Sequence, residues 1–205
     1  MPGRVFLTEP PKAIAATFGQ EVTPIADEKP RYNIAPGQDV VTLTEAGLTR
    51  MRWGMIPVGR VNARGRPVME TIVNARSETV FDKTAFAGVG RAVLPVNGWY
   101  EWTGEKRRKT AWRITPKAGG LLCFAAINDV WKAPGGQKLH QIATVTCEPS
   151  GDVRGVHHRM AVVLEPAQVS IWLRAPEDEL KELMRPWPDG RLAIEPATDV
   201  NWDAP

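Results

Sequence analysis

Val93-Leu94-Pro95-Val96-Asn97-Gly98-Trp99-Tyr100-Glu101-Trp102 sets one carboxylate between aromatic residues in a run that is otherwise almost entirely apolar. The Val, Leu, Trp and Tyr content reads as buried strand. Asn97-Gly98 in its middle supplies residue types that tolerate positive φ, which predicts a turn or bulge there. Beside Tyr100 and Trp102, Glu101 is expected to be partly desolvated, which disfavours the charged form and raises its pKa toward the range useful for proton transfer. Strand alternation by itself favours the other position, on a solvated face, so the run alone leaves both open.

Outward from this stretch, the pattern is many short strands and few helices. Val5-Phe6-Leu7 predicts a first strand, Thr8 an N-cap, and Lys12 to Phe18 a short helix stopped by Gly19. Asp39–Thr44 and Leu48–Trp53 around Glu45-Ala46-Gly47 predict a hairpin. Gly54 to Met69, rich in Gly, Pro and Arg, predicts a cationic surface loop suited to phosphates. A helix is expected from Asp82 to about Gly88. Strands follow around Trp112–Thr115, Leu121–Ala126, Leu139–Cys147 and Met160–Leu164, then two proline-opened helices, Pro166–Leu173 and Pro176–Met184. Without βαβ alternation, the order predicts an α+β fold: a single domain over residues 1–205, with a curved, barrel-like, mostly antiparallel sheet and a few short peripheral helices.

Composition narrows the function classes. No stretch approaches the roughly 18 apolar residues that cross a bilayer, and the start lacks the apolar core of a secretory signal, so a cytoplasmic protein is expected. Cys123 and Cys147 lie in apolar runs and read as buried small hydrophobes. With three histidines and no paired-ligand spacing, neither a metal site nor a cofactor is expected. Net charge is only +3, but five arginines and no acid fall between Arg50 and Arg66, while nine acids against four bases follow from Glu165. That asymmetry suits a polyanion bound on one side, although ordinary solvated faces give the same counts.

Several islands occur in a fixed order: Arg31-Tyr32-Asn33-Ile34-Ala35-Pro36, Asn74-Ala75-Arg76-Ser77-Glu78-Thr79, Pro95 to Trp102, and His157-His158-Arg159-Met160. With Gly3-Arg4 and Trp53-Gly54-Met55-Ile56-Pro57, they resemble the SOS-response-associated peptidase (SRAP) family across nearly the whole chain. The resemblance implies a sensor of abasic sites in single-stranded DNA, acting as a monomer away from membranes. In the family the initiator methionine is removed and the cysteine that follows it attacks the ring-opened sugar, amine first and thiol second. Here that residue is Pro2. Its secondary amine can form an iminium with an aldehyde, but no thiol follows to close a thiazolidine. The expected adduct is reversible and opens a route to β-elimination and strand cleavage. The alternative is a relative that binds single-stranded or junction DNA without crosslinking.

By the same resemblance, Glu101 is the proton-handling carboxylate, Asn74 the amide that holds the amine and sugar, and His157 the group assisting ring opening. Arg4, Arg76 and Arg159 are implied phosphate contacts, which position a strand without reading its sequence. Pro36 and Trp53 are implied to lie near the bases, with core packing the competing role for Trp53. Relatives often carry tryptophan just after the position of Pro57, where this chain has Val58-Gly59 and an arginine-rich loop. His158 occupies a position usually acidic in the family. Peptide hydrolysis in trans lacks a Ser/His/Asp or Cys/His arrangement to support it.

Overall fold

The computed structural model describes residues 2–57, 64, 71–105, 108–133 and 135–204. Of the cationic surface loop expected from Gly54 to Met69, residues 54–57 are buried, running on from the strand that ends at Trp53 into the bridge at Met55, Arg64 is exposed, and the rest lies outside the described residues, as do Lys106 and Arg107 of the expected basic turn. The chain opens with β1 (Arg4–Leu7), α1 (Pro11–Phe18), β2 (Arg31–Ile34) and the hairpin β3 (Asp39–Thr44) and β4 (Gly47–Trp53). After β5 (Asn74–Arg76) come β6 (Gly90–Val96), β7 (Gly98–Glu105), β8 (Arg108–Pro116), β9 (Leu122–Lys132) and β10 (Lys138–Cys147). The last part holds α2 (Gly151–Arg154), β11 (Met160–Ala161), β12 (Val163–Leu164), α3 (Val169–Arg174) and β13 (Leu192–Pro196).

β10, β4, β3, β6 and β9 each pair with the next, and β9 pairs back onto β10, closing a five-stranded ring. Closure leaves these strands without a free edge, and their inward side chains form the core. Trp53, Leu94, Phe124 and Ile142 are at most 1% exposed. β6 is buried on both faces from Ala92 to Val96 because α3 covers its outer side, where the Trp172 indole N–H donates to the Ala92 carbonyl at 2.9 Å. That explains an apolar run without alternation. Most pairings are antiparallel; β10 runs parallel to β4 and then, farther along, to β5. The fold is therefore α+β, with a curved, barrel-like sheet and short helices.

The stretch from Val93 to Trp102 breaks at Asn97. β6 belongs to the ring, whereas β7 joins a second sheet ordered β13-β8-β7-β1-β2. The Asn97 carboxamide oxygen accepts from the backbone N–H groups of Thr8 (2.7 Å) and Glu9 (3.1 Å), fastening the end of β1 to this corner. Gly98 is required for close approach rather than for positive φ: a Cβ there would lie 2.3 Å from the Ile114 carbonyl oxygen and 2.7 Å from the Phe6 ring. Trp99 on β7 meets Phe124 on β9 edge to face at 5.5 Å, joining the two sheets.

Several local expectations change. The cap of α1 is Pro10, not Thr8, whose backbone N–H is committed to Asn97. The helix expected from Asp82 is a single 3-10 turn, Thr84–Phe86, without a side-chain cap, and the one expected over Pro176–Met184 contracts to Glu177–Leu180. Each offers one buried residue, Phe86 or Leu180, too little apolar face to stabilise a longer helix. The strand expected over Met160–Leu164 divides: β11 pairs with β10, and β12 with β9. Pro166–Leu173 is helical as expected, entering through a 3-10 turn with a Glu165/Gln168 capping box.

Candidate active site

The first strand delivers the start of the chain to Glu101. β1 runs antiparallel to β7 with Arg4 opposite Tyr100 and Val5 opposite Trp99, so one further register step brings Gly3 level with Glu101. Residues directly opposite share a face. Glu101 and Trp99 therefore look toward the ring, while Arg4 and Tyr100 look outward. Glu101 is 3% exposed, which settles the choice left open by the sequence in favour of the desolvated position. Burial raises its pKa, opposed by the positive charge of the chain's amino terminus and by the Trp99 indole.

Asn74 reaches the same place from the ring. It begins β5, set against β10 with Thr144 as its register partner. Its amide donates to the Pro2 carbonyl at 3.0 Å, and its own carbonyl oxygen accepts from the Thr144 hydroxyl at 3.0 Å. That hydroxyl accepts in turn from the Trp53 indole N–H at 3.2 Å. The chain of donors Trp53, Thr144, Asn74 fixes which end of the amide faces Pro2. Trp53 is fully buried, so its ring offers no surface to a nucleic acid, and it acts on the site through Asn74. Pro36 lies half-buried in the turn before β3, where the next residue, Gly37, donates to the Trp53 carbonyl at 2.7 Å.

His157 is half-buried in the loop before β11. The Arg159 backbone N–H donates to its Nδ1 at 3.0 Å. The same Nδ1 lies 3.1 Å from the Arg159 carbonyl oxygen, so Arg159 holds this ring nitrogen whether it accepts from the amide or donates to the carbonyl. Burial, the amino-terminal charge and the neighbouring His158 push the imidazole down to about 4. At neutral pH it is uncharged, with one ring nitrogen to donate and one to accept. His158 is exposed and stacks on it at 4.4 Å. The amino-terminal charge opposes the rise of Glu101 and adds to the lowering of His157.

The arginines implied as phosphate contacts differ from one another. Arg76 is exposed at the end of β5. Arg159 grips both carboxylate oxygens of Glu78, at 2.5 and 2.8 Å, and the Thr146 carbonyl at 2.6 Å. Arg4 donates to the Asn33 carboxamide oxygen at 2.7 Å; the Asn33 amide bonds the carbonyls of Trp202 (2.9 Å) and Ala204 (2.8 Å) in the C-terminal tail. Trp202 packs on Tyr100 at 5.0 Å and Trp102 at 5.3 Å, the residues flanking Glu101. Asn33, Thr144 and Trp202 thus support the site without having been singled out in the sequence. For Asn33 the signal was present in the Arg31–Pro36 island; Thr144 and Trp202 needed the register.

No thiol assists. Cys123 and Cys147 are free and buried, and burial pushes both thiols up to about 12. Among the described residues no three His, Cys, Asp or Glu side chains gather closely enough to hold a metal ion, and no helix is long and apolar enough to cross a membrane.

The same arrangement of strands occurs in solved proteins from Bacteroides thetaiotaomicron (TM-score 0.83, 19% identity, 96% of this chain and 92% of that one) and Bordetella bronchiseptica (TM-score 0.80, 21% identity, 96% and 99%). These likenesses establish the fold. In sequence the chain is 30% identical over 175 residues to the abasic site processing protein YoqW of Bacillus subtilis, covering 80% of this chain and 77% of that protein. It is 28% identical over 166 residues to the abasic site processing protein HMCES of Mus musculus, covering 66% of this chain and 47% of the mouse protein. Residues 1–201 match the family model described as SOS response associated peptidase, and the chain belongs to that family.

Proposed function

We propose that this protein recognises abasic sites in single-stranded DNA and captures the ring-opened sugar through the amine of Pro2, exposed when Met1 is removed. The observation that carries this reading is the convergence on Pro2: its carbonyl is held by Asn74, and the buried Glu101 lies one register step from the last paired residues of β1 and β7. Relatives bearing the name abasic site processing protein support the substrate.

The chemistry balances with the groups present. The neutral secondary amine adds to the aldehyde carbon, and a proton moves from nitrogen to oxygen to give a carbinolamine. Protonated Glu101 then donates to the departing hydroxyl, which leaves as water, and the nitrogen lone pair forms the C=N bond. The products are an iminium cation and the Glu101 carboxylate, mutually stabilising in a buried site. His157, neutral, hydrogen-bonds the sugar oxygen during opening and keeps its ring proton. With both cysteines buried and protonated, the adduct stays at the iminium, open to hydrolysis or β-elimination.

A second reading, binding without capture, is favoured by one observation: Pro2 is buried, so the amine must be uncovered to react. Incubation with an oligonucleotide carrying one abasic site, with and without borohydride, separates the two. Capture predicts an adduct that accumulates with borohydride and disappears when the amine is acetylated. Binding alone predicts a gel shift indifferent to acetylation, with no adduct.

A further inference from the structure

On the face of β7 that looks toward the ring, Glu101 has unlike neighbours on its two sides. Toward β1 the level position is Gly3, which carries no side chain and leaves that flank open beside Pro2. Toward β8 the register partner is Trp112. Partners directly opposite on paired strands share a face, with Cβ atoms about 5 Å apart, so the indole stands next to the carboxyl. Its N–H donates to the Thr103 hydroxyl at 2.8 Å. Thr103 follows Glu101 by two residues on the same strand and shares its face, so this bond ties the ring across β7. Packing elsewhere does not account for Trp112. It is half-buried, and among the described residues it joins neither the main apolar core nor the smaller cluster around Phe6, Tyr100 and Trp202. Glu101, beside it, is the only Asp, Glu, Lys or Arg among the described residues to be buried. A carboxyl kept from water in this way needs a cover on each side.

We propose that Trp112 is a positioning residue for Glu101: its indole, tied to Thr103, closes the β8 side of the carboxyl against water, and the side at Gly3 is left for the sugar. The inference rests on the proposed function and deepens it. The charged side chains of the adjoining strands do not share this task. Arg4 of β1 and Arg113 of β8 alternate to the outer face, where Arg113 meets Glu195 and Asp199. Asn74 on β5 carries no charge, and His157 is neutral at neutral pH. The amino terminus is the charge that acts on Glu101, and burial outweighs it in setting the direction of the shift. The cover therefore decides how readily the carboxyl keeps the proton that capture spends.

The test is a carbon-13 NMR titration of the Glu101 carboxyl in the full chain, its signal assigned by its loss in Glu101→Gln. Cyanoborohydride trapping of a single-stranded oligonucleotide carrying one abasic site is run beside it. Trp112→Ala is expected to lower the carboxyl midpoint by about one pH unit. At saturating DNA it is expected to slow trapping about tenfold at about pH 7.5 and little at about pH 5, where the acid form is retained. Trp112→Phe, which keeps an aromatic cover without the bond to Thr103, is expected to recover most of both. Affinity for an oligonucleotide with a tetrahydrofuran abasic analogue, read by fluorescence anisotropy, is expected to stay within about twofold of the parent in both variants. A midpoint that Trp112→Ala leaves unmoved overturns the proposal. So does a trapping loss equal at the two pH values, the mark of general structural damage, or a loss confined to affinity, which would make the indole a contact for DNA. If Trp112→Ala does not fold, Thr103→Val decides: releasing the indole is expected to lower the midpoint by about half a unit, and no change overturns the proposal. The two readings stay separable. A midpoint that moves as expected in a protein forming no adduct retains the cover and discards capture, and adducts with an unmoved midpoint do the reverse.

Discussion

Glu78 and Glu101 carry the same carboxyl group and hold protons with opposite tenacity. Glu78 is exposed, clasped by both nitrogens of the Arg159 fork, and its carboxyl is held at about 2. Glu101 is buried between strands, and desolvation raises its pKa despite the amino-terminal charge nearby. The contrast shows how neighbours divide labour between identical groups. The surface glutamate is a permanent anion that holds an arginine in place, and the buried one is able to store and release a proton.

The sharpest way to break this contrast is Glu101→Gln, which keeps shape and removes the proton. Adduct formation is expected to slow by about 10²–10⁴-fold, measured by borohydride-trapping kinetics. The same variant is expected to melt at higher temperature at neutral pH. A carboxyl whose folded pKa lies above its unfolded value favours folding at low pH, and that contribution is lost as pH rises through the folded pKa. Catalytic loss with raised stability is the signature of a desolvated acid; loss of both would mean that Glu101 is merely structural.

Asn74→Ala removes the grip on Pro2 and is expected to cost about 10²-fold in trapping rate through misplacement of the amine. Thr144→Val leaves Asn74 in place but takes away the donor that orients its amide, so a smaller loss, about tenfold, is expected in the same assay. Equal rates for Thr144→Val and the parent would show that Asn74 needs no orientation from the Trp53–Thr144 pair. Glu78→Gln acts on the other side of the comparison. Freed from its partner, Arg159 is expected to strengthen single-stranded DNA binding a few-fold and to steepen the salt dependence by about 0.7 in anisotropy titrations. Its stability cost should stay within about 1 kcal/mol, because Glu78 is half exposed. That contribution is present above pH 4.5 and lost as pH falls through about 2.

His157 gives the mildest effect. With its folded pKa lowered from 6.5 to about 4, it leaves stability flat above pH 6.5 and erodes it as pH falls from 6.5 toward 4, where the unfolded chain takes up a proton first. An NMR titration of the ring should show a midpoint near 4, and a midpoint near 6.5 would contradict the burial derived for it.

Much of this was legible along the chain. The β3–β4 hairpin could be read because its apolar spacing and turn are local, and α1 because Pro11 and Gly19 mark its ends. The short helices were misjudged because one buried Phe86 or Leu180 cannot be told from an amphipathic face by composition. Glu101 was conspicuous for its aromatic neighbours, but the face it occupies depended on the pairing of β1 with β7, a contact nearly a hundred residues apart in sequence. Non-local register likewise hid Thr144 behind Asn74 and attached Asn33 to the tail at Trp202. Trp53 is in the core, the favoured of the two roles read for it, but its bond to Thr144 depended on the closure of the ring.

Capture as proposed here makes the amine of residue 2 the nucleophile. Its most direct test is peptide mapping, by mass spectrometry, of the borohydride-reduced adduct formed with a single-stranded abasic oligonucleotide. Capture by Pro2 requires a chain lacking Met1 with the reduced sugar on the Pro2 nitrogen, and much less adduct in Glu101→Gln. An adduct carried on a lysine, or a Met1-free protein that binds the DNA and yields no adduct, would contradict it.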